Sequence, residues 1–109
     1  MDLDDFYTVP EVADILSLGI TRVRRLIEEK TLGAIYIDGV LRIPKSFIKD
    51  EAPFGALKGT LILLEDAGFK PGEAAEWMIT EEPSLGAKPI DALLAGRKAE
   101  VRRVAQALL

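Results

Sequence analysis

From Thr8 to Pro44 the chain reads "TVPEVADILSLGITRVRRLIEEKTLGAIYIDGVLRIP", and this stretch restricts the fold more than any other. Thr8 precedes an apolar-periodic run and Glu11 stands three residues on, the reciprocal capping pattern of a helix start, with Pro10 in the first turn. Val9, Val12, Ala13, Ile15 and Leu16 supply an apolar face, so the spacing predicts a helix ending at about Leu16. "SLGI" follows as a tight turn in which Gly19 is able to take positive φ, and Thr21 is expected to be the N-cap of a second helix. There Val23, Leu26 and Ile27 fall at i, i+3 and i+4 and form the stripe to be buried. Two short helices joined by a glycine-containing turn match the helix-turn-helix pattern.

"GAIYIDGVLRIP" then sets two β-rich runs on either side of Asp38-Gly39, which indicates a hairpin. A two-residue loop would place Ile35 beside Arg42 on one face. A three-residue loop, with Gly39 left-handed, gathers Ile35, Leu41 and Ile43 on one face and puts Tyr36 and Arg42 on the other. A one-residue slip flips every side chain, so the cleaner sorting favours the three-residue loop. Pro44 ends the second strand and "KSFI" packs back toward the first helix. Helix, turn, helix, hairpin is the order of a small winged helix-turn-helix, assigned to residues 1–50.

Residues 51–56 are expected to be a linker and 57–109 a small helical C-terminal domain. "LKGTLILLEDAG" carries Leu57, Leu61, Ile62 and Leu64 broadly on one side and stops at Gly68, Pro71 opens "PGEAAEWMI", and Pro89 opens "PIDALLAG". A last helix from about Arg97 to Leu108 is apolar at Val101, Val104, Ala105 and Leu108, with Arg97, Lys98, Arg102 and Arg103 on its other face. The fold class is therefore mainly α with one small β-hairpin.

Composition removes most catalytic chemistry. The 109 residues contain neither cysteine nor histidine, which leaves no thiolate nucleophile, no Cys/His zinc site and no imidazole base. No phosphate-binding glycine loop, nucleophile elbow or calcium-loop spacing is present, and adjacent acids such as Asp4-Asp5, Glu28-Glu29 and Glu81-Glu82 diverge on a helix. The chain is read as a non-enzyme without cofactor or metal. "MDLDDFYT" is acidic where a signal peptide would be basic, and no apolar run approaches the ~18 residues of a membrane span. A cytoplasmic, nucleoid-associated location without membrane contact is expected.

The net charge of −4 is unevenly spread. Residues 1–19 hold five acids and no Lys or Arg. Residues 20–49 hold seven bases (Arg22, Arg24, Arg25, Lys30, Arg42, Lys45, Lys49) against Glu28, Glu29 and Asp38, a local +4. Residues 50–109 return to −3, with seven bases against ten acids. A positive island over a helix-turn-helix is a local footprint for a polyanion.

The island also explains a mismatch. "TRVRRLIEEK" puts arginines at the helix N-terminus and glutamates near its end, against the macrodipole. Surface pairs Arg24–Glu28 and Arg25–Glu29 would return only ~0.2–0.5 kcal/mol each. The dipole costs ~0.3–1 kcal/mol per charge. Local stability gives no net reason for the order, whereas a recognition helix does, because its N-terminal half meets base edges in the major groove. There an arginine can pair with O6 and N7 of guanine. Arg25 points nearly opposite the buried stripe and Arg22 and Arg24 flank it, so all three are candidate contacts, with Thr21 and the first-turn N–H groups holding a phosphate. The bidentate adenine reader is missing here: the chain has no Asn, and its only Gln is Gln106. Tyr36 and Arg42 are candidates on the wing, and Lys45 and Lys49 could neutralise phosphates. Trp77 is read first as helix core and alternatively, with Arg102 and Arg103, as a protein-partner surface. Thr8, just after the acidic start, is a candidate phosphorylation site.

"YTVPEVADILSLGITRVRRLIEEKTLGAIYIDGVLRIPKSFI" resembles the excisionase/MerR-type winged helix-turn-helix, in which an E-V-A-x-x-L run precedes the recognition helix and R-I-P follows the wing. The whole chain is similar to small actinobacterial DNA-binding proteins that join such a domain to a helical C-terminal domain. Trp77, Pro83, Leu85, Gly86, Pro89, Leu93, Gly96 and Val101 also resemble the toxin-binding domain of Xre/ParS-type antitoxins. The resemblance implies double-stranded DNA as partner through Arg22, Arg24, Arg25 and the wing, in the role of a transcriptional regulator. It departs from MerR regulators in lacking a long C-terminal coiled coil and a cysteine metal sensor. An antitoxin-like protein-interaction module and an excisionase-type DNA-bending factor are the alternative readings.

Overall fold

The computed structural model describes residues 2–108. Its first helix, α1 (Val9–Leu16), opens on the expected reciprocal cap. The Glu11 N–H donates to the Thr8 hydroxyl at 3.3 Å and the Thr8 N–H donates to the Glu11 carboxylate at 2.9 Å. Two donors that a helix cannot satisfy internally are thereby paired. A 3-10 turn (Leu3–Asp5) and a short strand, β1 (Phe6–Thr8), precede it.

The turn after α1 differs from expectation. Ser17, not Gly19, takes the left-handed conformation, at φ 55°. The Leu18 N–H then closes back on the Ala13 carbonyl at 2.9 Å, so the reversal is finished before Gly19 is reached. Gly19 stays extended at φ −75° and is itself the N-cap of α2 (Ile20–Glu28), without a side-chain cap. Thr21 therefore lies inside the first turn.

The wing is corrected too. Strands β2 (Ile35–Ile37) and β3 (Val40–Pro44) pair with Ile35 opposite Arg42, Tyr36 opposite Leu41 and Ile37 opposite Val40. The loop has two residues, Asp38 and Gly39, at φ 51° and 80°, the type I′ geometry that matches strand twist. Asp38 tolerates the left-handed region, so glycine was not needed at both positions. The sorting that favoured a longer loop assumed one covered face. Instead β1 pairs with β3, which becomes the centre of a sheet ordered β1-β3-β2. Ile43 and Pro44, on opposite faces of β3, are both buried. Consequently Tyr36 and Arg42 occupy opposite faces of the hairpin.

A 3-10 turn (Lys45–Phe47) leads into a second hairpin, β4 (Ile48–Lys49) and β5 (Ala52–Pro53), turned by Asp50 and Glu51 at positive φ. Part of the expected linker is thus strand. Four helices follow: α3 (Leu57–Asp66), α4 (Pro71–Met78), α5 (Pro89–Leu94) and α6 (Lys98–Gln106). Thr60 fills an inward position of α3, while Ile62 is 40% exposed rather than buried. Arg97 leaves the expected basic face of α6: its guanidinium pairs with Glu100 at 2.9 Å and donates to the Leu85 carbonyl at 2.9 Å.

Both halves share one apolar core running from Phe6 to Ala105. α3 packs on α4 and α6, and α4 lies against β2 of the wing. Gly33 marks the junction, where a Cβ would meet Phe47 at 2.9 Å, Leu61 at 3.3 Å and Ala75 at 3.4 Å. Nearby, Lys30 and Glu65 form an ion pair of 3.0 Å. None of the described helices is long and apolar enough to cross a membrane.

Candidate nucleic-acid interface

Val23 is fully buried and Leu26 and Ile27 are half-buried, which pins α2 to the core by one side. Arg22, Arg24 and Arg25 are all exposed. Among the described residues neither Arg24–Glu28 nor Arg25–Glu29 closes to an ion pair within 4.0 Å, and no carboxylate pairs with Arg22. The three guanidinium groups keep their donors free for an outside acceptor. Gly19 offers no side-chain oxygen to the first turn, so its N–H groups are uncapped from that side as well.

Arg24 and Tyr36 come together. They line one open groove of about 260 Å³ with Ile27, Glu28, Ala34 and Leu41, and Pro71 and Gly72 at the start of α4 complete its wall. Tyr36 is 69% exposed, so the wing presents an aromatic ring beside the basic face of α2. The contribution of α4 is illegible in the sequence, where Pro71 and Gly72 read only as a helix start.

The other basic residues are placed elsewhere. Arg42 is half-buried on the far face of the wing, its Nε shielded from solvent and without a hydrogen-bond partner. It sits opposite Thr8 in the sheet, in the field of Glu11. The Thr8 backbone N–H, with lesser help from the Thr8 hydroxyl, Lys45 and Arg42, holds the Glu11 carboxyl below the usual carboxylate range. Lys45 lies over the Tyr7 ring with Nζ 5.1 Å from its centre, and Lys49 over the Phe54 ring at 6.0 Å. Neither lines the Arg24–Tyr36 groove; Lys45 instead borders a second cleft with Asp2, Asp5, Lys88 and Asp91. The Thr8 hydroxyl is engaged in the α1 cap.

In the C-terminal half, Trp77 is half-buried and packed against the core. The Arg102 guanidinium lies over Gly59, where a Cβ would stand 2.6 Å from Nη2, and Arg103 is exposed. A signal missed in the sequence lies at the start of α2. Leu18 and Ile20, expected as turn residues, are exposed at the leading end of α2.

Residues 2–48 match the family model described as "DNA-binding protein Rv2175c, wHTH domain", and residues 55–109 match "Rv2175c C-terminal domain of unknown function". The DNA-binding protein Rv2175c of Mycobacterium tuberculosis (strain ATCC 25618 / H37Rv) is 32% identical over 115 residues, spanning 94% of this chain and 79% of that one. The NMR structure of Rv2175c has a TM-score of 0.85 to this chain at 32% identity, covering 99% of this chain and 84% of that one. These matches carry the winged helix-turn-helix and the separate C-terminal domain, and they carry neither an excisionase/MerR nor an Xre/ParS affiliation. The chain belongs to the Rv2175c family.

Proposed function

We propose that this protein binds double-stranded DNA sequence-specifically and acts as a transcriptional regulator in the cytoplasm. The N-terminal half of α2 enters the major groove, and the wing, led by Tyr36, rests on backbone or minor groove. The observation that carries this reading is the trio of exposed arginines, none held by a carboxylate, on the second helix of a helix-turn-helix. The relative of known structure is named a DNA-binding protein, which agrees with it. Arg22 and Arg25, three residues apart, share a helix face, and Arg24 turns toward the wing. One group can then take base edges while the others fix register on phosphates.

No observation favours a protein-docking or DNA-bending role over this one. Trp77 serves the core, and the Arg102 guanidinium is laid over α3. Arg42, Lys45 and Lys49 contribute at most peripheral phosphate attraction, because they lie away from the groove that Arg24 and Tyr36 share. The test is binding of duplexes selected from random DNA. Arg24→Ala with Arg25→Ala should weaken binding at least tenfold, and the wild-type affinity should fall steeply with salt. Unchanged affinity in that double variant would remove α2 from the interface.

A further inference from the structure

Ile20 heads the stripe that continues through Val23 and Ile27, yet the core stops short of it. Val23 is wholly buried, whereas Ile20 is 48% exposed and Leu18, in the preceding turn, 37%. Between them Gly19 has no side chain, and a Cβ there would meet nothing within 4 Å. Two large aliphatic groups therefore stand free at the leading end of the helix that carries Arg22, Arg24 and Arg25.

Their occupant must suit both the apolar groups and the positive charge around them. A second copy of this chain docked tip to tip would bring six arginines together, with no carboxylate holding any of them. DNA satisfies both demands, since its phosphates attract the arginines and its major-groove floor carries one apolar group, the thymine methyl. The inventory of readers narrows the choice further. The chain has no Asn, and its single Gln lies on α6, so α2 lacks the bidentate adenine reader. An A·T pair under α2 then offers its methyl as the feature that the aliphatic Ile20 and Leu18 can recognise.

We infer that Ile20, flanked by Leu18, contacts thymine methyl groups in the major groove and gives the bound site a thymine requirement beside the guanine contacts of the arginines. This rests on the DNA-binding reading above. The test uses the full chain and duplexes selected from random DNA, resynthesised with uracil for thymine, which removes the methyl alone. Wild-type protein should bind the uracil duplex about fourfold more weakly per contacted methyl, the equivalent of one buried CH₂. Ile20→Ala should bind the thymine duplex that much more weakly and should no longer distinguish the two duplexes. Thr21→Ser, which deletes a neighbouring methyl, should still distinguish them.

Equal wild-type affinity for the two duplexes overturns the inference, as does an Ile20→Ala protein that still separates them. Loss of the distinction in Thr21→Ser but not Ile20→Ala assigns the contact to Thr21 and overturns it likewise. Failure to bind any duplex removes the DNA-binding reading and the inference with it. Salt-dependent binding that ignores the methyl removes the inference alone.

Discussion

Gly33→Ala tests how the winged unit is joined to the helices behind it. The new Cβ would stand 2.9 Å from the Phe47 ring, 3.3 Å from Leu61 and 3.4 Å from Ala75. Phe47 and Ala75 are fully buried and Leu61 nearly so, so the ring has no solvent-facing space to swing into. Overpacking of this kind costs ~1–3 kcal/mol. Against it, replacing glycine by alanine restricts the unfolded chain and returns ~0.4–1 kcal/mol where the backbone is compatible. The clash wins, with a net loss of about 1–2 kcal/mol. For a chain near 100 residues that lowers Tm by at least roughly 4 °C. Half-buried Trp77, the chain's single tryptophan, reports unfolding by its fluorescence in urea or on heating. Phe47→Leu removes the offending ring edge, so Gly33→Ala should cost at least ~0.5 kcal/mol less in that background. A Gly33→Ala protein as stable as wild type, or equal costs in both backgrounds, would refute the close junction.

Two further outcomes follow from the α1 cap. Thr8→Ala removes the oxygen that accepts the Glu11 N–H and should lower stability by ~1 kcal/mol, read from the urea midpoint. Glu11 and Glu100 both have carboxyls held below the ordinary glutamate value, Glu11 chiefly by the Thr8 N–H and Glu100 by Arg97. A carboxyl lowered in the folded state contributes stability that is present above its unfolded pKa and lost as pH falls through its folded one. Stability should therefore decline as pH drops below about 4.5, the ordinary glutamate value, and Glu11→Gln should flatten that decline. An identical acid limb in wild type and Glu11→Gln would contradict the assignment.

The parts of the fold legible in the sequence were those set by local chemistry. Thr8 and Glu11 announce a cap that the structure contains, and Pro71 and Pro89 announce the starts of α4 and α5. Val23 marks the buried side of α2, and with it the exposed side of the arginines. Most of the misplaced features depend on partners remote in sequence; the reversal at Ser17 is local. The predicted wing register followed from assuming that only one face of the hairpin is covered, whereas residues on both faces of β3 are buried in the sheet ordered β1-β3-β2. Ser17 rather than Gly19 reverses the chain because α1's own carbonyls capture the Leu18 N–H first. Arg42 turned out half-buried for the same reason as the register: it faces α1's start, not the Tyr36 side. The groove wall at Pro71-Gly72 had no local signal, since it arises only when α4 packs on β2.

The N-terminal half of α2 and the near face of the wing are the surfaces proposed to meet DNA. The most direct measurement is an amide chemical-shift titration of the full chain with a selected duplex, at a salt concentration low enough to saturate it. Perturbations should concentrate on Gly19–Arg25 and on Tyr36–Leu41, extend to Gly72 at the groove wall, and spare Lys98–Gln106. Perturbations confined to α6, with Gly19–Arg25 unmoved, would place DNA on the C-terminal helix and remove α2 from the interface.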